Sequence, residues 1–363
     1  TDFTTGEDTI RFAYTAAEAA ETLDFTFKGA TPNVSEGIGL LSSVKGQYVF
    51  NTSTNSLLLD SGNLGLLQST DDGIKLTGLS TLADGDVAFD ITTNAANGGA
   101  ADTVTTGGGD DTVVAAVAAD SVTTGKGDDT ISVAAVTYTG TMAFGEGTDT
   151  LKNTTGASVV KSVTLTGLEK IEIAASGSVE ASVAQLATFN STDDFTVTGV
   201  AAGDVETLIV TGASAVNVIS GAGLTLTNAN LVLTGNDNVD TITGNTSNDY
   251  LDGAAGDDVD TLIGGAGNDT YAITDEAEAD VFVEEASGGT DTFLVTDDLS
   301  LAGVKVGVTT GDAAADGAFA QFEQIVLANN KDLTVAAAQI SGQTIKVNTA
   351  TGAAASLLNV TGA

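Results

Sequence analysis

The chain has 363 residues, 42% of them hydrophobic, and sets 49 acidic side chains against 11 basic ones for a net charge of −38. That apolar content excludes wholesale disorder, while the charge argues against nucleic acid or an anionic membrane surface as partner and in favour of cations. With no cysteine and no histidine, disulfides, thiolate chemistry, cysteine-held zinc and an imidazole base are all excluded.

Aromatic residues are only 5% and tryptophan is absent, so a thin core of Val, Ile, Leu and Ala is expected. No apolar run is long enough to span a bilayer. The start at Thr1-Asp2-Phe3 carries neither Met nor a signal peptide, which reads as a piece of a longer protein.

Residues 1–96 read as a β-rich domain. Alternation in Thr9–Tyr14, Leu23–Phe27 and Gln47–Phe50 predicts half-buried strands, and Thr15-x-x-Glu18 predicts a short helix through Glu21.

Residues 97–151 carry a repeat. Gly-x-Gly-x-Asp-x-apolar occurs at Gly107-Gly109-Asp111-Val113 and at Gly125-Gly127-Asp129-Ile131, eighteen residues apart. Degenerate copies, Gly98-Ala100-Asp102-Val104 and Ala116-Ala118-Asp120-Val122, fall on the same register, which makes the period nine. A further copy, Gly145-Gly147-Asp149-Leu151, follows after twenty, as though two residues entered one coil. Glycine permits φ > 0 and close backbone approach, and the apolar position makes a very short strand. Two nonapeptides then form one coil, and residues eighteen apart stack at about 4.8 Å, Asp111 over Asp129 and Asp102 over Asp120. Two carboxylates about 5 Å apart repel by roughly 3 kcal/mol at an effective dielectric of about 20, so a cation is expected between them. Carboxylates and turn carbonyls are hard oxygen ligands, which suit Ca²⁺.

Residues 152–231 read as a second β-rich domain without the Gly-Asp pattern. Leu168-Glu169-Lys170-Ile171-Glu172-Ile173 and Val205-Glu206-Thr207-Leu208-Ile209-Val210 share a motif that returns at Phe322-Glu323-Gln324-Ile325-Val326-Leu327. Strand alternation puts its glutamate opposite the buried positions, so these glutamates are expected to be structural or to face solvent. A short helix is predicted over Val179–Phe189.

A second block covers residues 232–286. Gly264-Gly265-Ala266-Gly267-Asn268-Asp269-Thr270-Tyr271 is its clearest copy, preceded by Asp260-Thr261-Leu262, Asp249-Tyr250-Leu251 and Asp240-Thr241-Ile242. Its candidate ligand positions are Asp240, Asp249, Gly256, Asp258, Asp260, Gly265, Gly267 and Asp269. Residues 287–363 read as a C-terminal β-rich domain.

Both blocks resemble the calcium-binding nonapeptide repeats of RTX (repeats-in-toxin) proteins, whose pattern is Gly-Gly-x-Gly-x-Asp-x-apolar-x. The departures are Asn236, Asn238, Asn245, Ser247 and Asp258 in place of glycines. Thr1–Asp8 and Gly46–Asp60 resemble segments that flank such blocks, and the Thr-, Ala-, Gly- and Val-rich stretches between the blocks resemble RTX-type bacterial surface-layer proteins. The resemblance implies an all-β fold in which two calcium-loaded parallel β-rolls join β-sandwich-like or β-solenoid domains into an elongated molecule. It also implies export through a type I apparatus to the cell exterior or surface.

The expected function is that of an extracellular structural protein. Calcium would drive its folding and its self-assembly into a surface layer or filament, with copies of itself as partners and a cell-surface polysaccharide as another candidate. A repeat module of a larger secreted adhesin or enzyme is the alternative. No catalysis is expected from the chain itself, since its glycine-rich runs lead into aspartates that repel phosphate and no nucleophile motif is present.

Overall fold

A computed structural model describes residues 10–15, 22–25, 27–31, 48–51, 56–59, 72–75, 85, 87–93, 101–192, 194–200, 206–213, 215, 217–256, 258–273, 280–284, 289–300, 305–308, 322–342, 344–349 and 356–361. The chain divides into two units, Thr1–Gly177 and Ser178–Ala363. The predicted helix after Thr15 and the copy at Gly98 and Ala100 lie outside the described residues.

In the first unit two parallel ladders run side by side. One joins Ile10–Thr15, Val87–Thr92, Thr112–Ala115, Thr130–Val133, Thr150–Asn153 and Lys170–Ile173. The other joins Thr22–Phe25, Thr103–Thr106, Ser121–Thr123, Thr141–Ala143 and Thr164–Thr166. Consecutive strands alternate between the ladders, so the chain winds as a parallel β-solenoid. A small sheet of Phe27–Thr31, Tyr48–Asn51, Ser56–Leu59 and Asp72–Lys75 sits between the early coils in sequence, and its last two pairings are antiparallel.

The register follows the repeat. Val113 pairs with Ile131, Ile131 with Leu151 and Leu151 with Ile171, while Val104 pairs with Val122 and Val122 with Met142. All seven are fully buried, so each ladder contributes one apolar column to a narrow core. The twenty-residue step is absorbed between the strands Thr130–Val133 and Thr141–Ala143. There Tyr138 is fully buried, donates its hydroxyl to the Ala115 carbonyl at 2.9 Å and accepts from the Ala134 N–H at 2.8 Å.

The second unit repeats the plan. One parallel ladder runs through Ser178–Ala181, Glu206–Thr211, Ala229–Thr234, Tyr250–Asp252, Thr270–Ile273, Thr292–Val295, Gln324–Leu327 and Lys346–Thr349. Its companion runs through Val218–Ser220, Thr241–Thr243, Thr261–Ile263, Val281–Val283 and Lys305–Val308. In both units the ladders cross the compositional boundaries at 151 and 231, which makes the flanking segments solenoid rather than sandwich.

Two expectations are corrected. Ser178–Ala181 is a strand with Val179 and Ala181 buried, and the helix begins only at Val183 and runs to Ser191. Ser182 and Gln185 form a capping box that sets this start, and Phe189 stacks on Phe195 at 4.5 Å. The core is also not free of rings throughout, because Tyr271, Phe282, Phe293 and Phe322 meet edge to face at 5.1–6.1 Å. None of the described helices is long and apolar enough to cross a membrane.

Candidate metal centre

Each repeat aspartate stands immediately before a ladder strand, at the end of a glycine turn, and points inward. Asp102, Asp111, Asp120, Asp129 and Asp149 are all at most 1% exposed. In the first row the Oδ1 of each aspartate accepts the backbone N–H one coil earlier. Phe89 donates to Asp111 at 2.6 Å, Asp111 to Asp129 at 2.8 Å and Asp129 to Asp149 at 2.8 Å. In the second row Asp102 donates to Asp120 at 2.9 Å. The predicted stacking of Asp111 over Asp129 and of Asp102 over Asp120 is therefore present as hydrogen-bonded rows.

The second unit has the same two rows. Leu231 donates to Asp249 at 3.2 Å, Asp249 to Asp269 and Asp269 to Asp291 at 2.8 Å each. Asn217 donates to Asp240 at 2.7 Å, Asp240 to Asp260 at 2.8 Å and Asp260 to Asp280 at 2.7 Å.

The second carboxylate oxygen separates the turns into two kinds. At three turns where glycines are replaced, protein groups fill it. Asp120 Oδ2 accepts from Thr93 Oγ1 at 2.5 Å and from the Val117 N–H at 2.9 Å, Asp240 Oδ2 from the Asn236 N–H at 2.7 Å, and Asp249 Oδ2 from the Asn245 N–H at 2.6 Å. Where both glycines are kept, at Gly125-Gly127, Gly145-Gly147 and Gly265-Gly267, the Oδ2 atoms of Asp129, Asp149 and Asp269 are buried and make no hydrogen bond. Thr124 and the Gly125 N–H lie near enough to Asp129 to lower its pKa, but not in hydrogen-bond geometry. A buried carboxylate oxygen without a partner is rare in native proteins and calls for an ion or a proton.

Glycine is required at these turns by close approach. A Cβ on Gly125 would overlap the stacked Gly107 carbonyl, and Gly127 sits at φ +120 with the Gly109 carbonyl against it. Gly109, Gly145, Gly147, Gly265 and Gly267 repeat this arrangement against the coil before them. The turns thus stack carbonyl oxygens beside the carboxylates, a hard-oxygen donor set that fits Ca²⁺ with its six to eight ligands.

Burial acts on the protonation of the row. It raises the pKa values of Asp129, Asp149, Asp249 and Asp291 from 3.8 to about 6, that of Asp260 to about 7 and that of Asp269 to about 8. Backbone N–H donors oppose the shift, and for Asp269 the neighbouring Asp249, Glu284 and Asp291 add to it.

The other candidate residues have varied surroundings. Asp258 is exposed and outside both rows, and Gly256 packs against the backbone of Asp237. Glu169 is half-buried and Glu323 exposed, and both end the aspartate rows, accepting from Asp149 at 2.9 Å and from Asp291 at 2.8 Å. Glu206 is fully buried. Asp280 and Asp291 were missed as row members. The signal was in the spacing, since each lies 20–22 residues after Asp260 and Asp269.

Residues 97–131 and 234–271 match the RTX calcium-binding nonapeptide repeat family, with four copies. The chain therefore carries RTX calcium-binding repeats, and such repeats bind calcium. No curated protein and no solved structure matches the chain.

Proposed function

We propose that the protein is an extracellular structural protein that folds on calcium and then assembles with copies of itself into a surface layer or filament. The observation that carries this reading is the pair of buried carboxylate rows in each unit, whose glycine turns leave Asp129, Asp149 and Asp269 with one unpartnered oxygen each. In low calcium the net charge of −38 opposes compaction. Extracellular calcium meets sites with affinities of roughly 10⁻⁴ to 10⁻³ M. At millimolar calcium, up to a tenfold excess, each site adds at most about 1.4 kcal/mol, so several filled together reach the lower end of a typical total stability of about 5–15 kcal/mol.

The assembly step draws support from the last strands of two ladders. Among the described residues Lys346–Thr349 and Leu358–Thr361 are the last strands of their sheets, with Val347 42% and Val360 51% exposed. Edge strands with open backbone groups and exposed apolar residues can pair with another strand. Among the described residues no set of side chains reads as catalytic, and the proposed role is non-enzymatic.

The test is electron microscopy of the purified chain in millimolar calcium beside the same sample in chelator. Ordered sheets or filaments that dissolve on chelation are expected. Discrete calcium-dependent particles would overturn the assembly half of the reading, and particles indifferent to chelator would overturn both halves.

A further inference from the structure

The turn entered from Thr261–Ile263 runs from Gly264 to Asp269, and its successor leaves Val281–Val283 at Glu284 and reaches Asp291 before the strand Thr292–Val295. Because Ile263 pairs with Val283, Glu284 occupies the place that Gly264 holds one coil earlier. The substitution changes what faces the neighbouring carboxylate. A Cβ on Gly244 would meet Asp249 Oδ2 and, at 2.5 Å, the carbonyl oxygen of Gly264. A Cβ on Gly264 would meet the Tyr271 hydroxyl, Asp269 Oδ2 and, at 2.9 Å, Oε2 of Glu284. Glu284 thus brings a second carboxylate, with its tyrosine partner, to the side of Asp269.

Asp269, Glu284 and Asp291 are all buried, and one oxygen from each lies within 4.8 Å of the other two. Asp269 Oδ2, on a residue with 0% exposure, makes no hydrogen bond. The Tyr271 hydroxyl holds Glu284 inward. It stands 2.6 Å from Glu284 Oε2 and 2.8 Å from the Val283 carbonyl, and it accepts from the Gly264 N–H at 2.6 Å. Three carboxylates brought this close in a dry interior need positive charge among them.

We propose that Glu284 is a direct calcium ligand, completing with Asp269 and Asp291 a three-carboxylate site that fills before the other turns of the chain. The inference rests on the calcium reading above and adds a ligand from outside the nonapeptide pattern. Affinity at oxygen sites rises with the number of charged ligands, so this site has the lowest dissociation constant.

Terbium is a suitable probe, because it replaces calcium at oxygen sites and emits when excited through a nearby tyrosine, and the chain has no tryptophan. Calcium binding to the full chain is measured by calorimetry, and tyrosine-sensitised terbium emission is followed beside it. Glu284→Gln is expected to weaken the tightest site by about tenfold or more and to remove the emission that saturates first. Tyr271→Phe keeps the three carboxylates, so it should retain the number of sites and lose that same emission. Unchanged affinities in Glu284→Gln, as for a protonated Glu284 that only bonds Tyr271, would overturn the proposal, as would unchanged emission in Tyr271→Phe. Should Glu284→Gln fail to fold, the Tyr271→Phe result decides. If the wild-type chain binds no calcium, the functional reading itself falls.

Discussion

The backbone N–H of Asp149 donates to a carboxylate oxygen of Glu169 at 2.9 Å, so the aspartate row of the first unit ends on a glutamate. Asp291 and Glu323 form the same pair at 2.8 Å in the second unit. In both, the aspartate carbonyl also takes bonds from two successive N–H groups of the next coil, Glu169 with Lys170 and Glu323 with Gln324. The Gly-x-Gly pair is no longer complete at either place, and a side chain one methylene longer reaches back to the waiting donor. Glu169→Ala leaves that donor unsatisfied and should cost about 1–3 kcal/mol. Urea unfolding in saturating calcium would show the loss, with the number of bound ions unchanged.

The two kinds of turn predict opposite effects for the same substitution. Asp129→Asn keeps an acceptor for the Asp111 N–H but deletes the charge beside an oxygen that no protein group fills. Calcium affinity should fall by about tenfold at the turns it shares. Asp120→Asn breaks bonds from Thr93 and Val117, so it should cost about 1–3 kcal/mol and leave calcium binding in place. Calorimetric titration and urea melts on both variants separate the outcomes. A loss of sites in Asp120→Asn would show that the filled turns bind ions too.

Without calcium, the dependence of stability on pH should run opposite to that of ordinary salt-bridged carboxylates. Burial raises six aspartates of the rows to between about 6 and about 8, whereas the unfolded chain binds these protons only below about 3.9. Between those values the ion-free fold holds more protons than the unfolded chain, so its stability falls as pH rises and the cost is complete above the folded values. Calcium displaces the protons, so it stabilises most at alkaline pH and least in acid. Urea midpoints by circular dichroism in calcium-free buffer should be higher at about pH 5 than at about pH 8. Saturating calcium should close the gap. A calcium-free midpoint that rises with pH would contradict the burial of these groups.

The sequence carried the architecture where a short period was written in residue types. The apolar positions at 104, 113, 122 and 131 are buried in register. The continuation of the solenoid beyond the blocks was less legible, because Lys170–Ile173 and Glu206–Thr211 join the ladders through alternation alone, with no glycine turn to mark the coil. The difference between Asp120 and Asp129 could not be read from spacing. It depends on Thr93, which lies 27 residues away in sequence and meets Asp120 only when the coils stack. The row contacts of Glu169 and Glu323 were not legible for a related reason. Alternation locates a side chain relative to its own strand, but a residue just before the strand answers to the neighbouring coil.

Glu206 makes the last prediction. It is 0% exposed, and neither carboxylate oxygen has a hydrogen-bond partner. Gly199 opens the space it occupies, since a Cβ there would lie 2.7 Å from Glu206 Oε2. A buried charge without partners costs several kcal/mol, and none of the described residues around this position returns that cost through a repeat turn. Glu206→Met keeps most of the volume and removes both orphaned oxygens, so the variant should be more stable by about 1–4 kcal/mol. The readout is the urea midpoint in saturating calcium. A lower midpoint would mean that the carboxylate serves the fold as a charged group, and calcium counting on the same variant would then show whether an ion is lost with it.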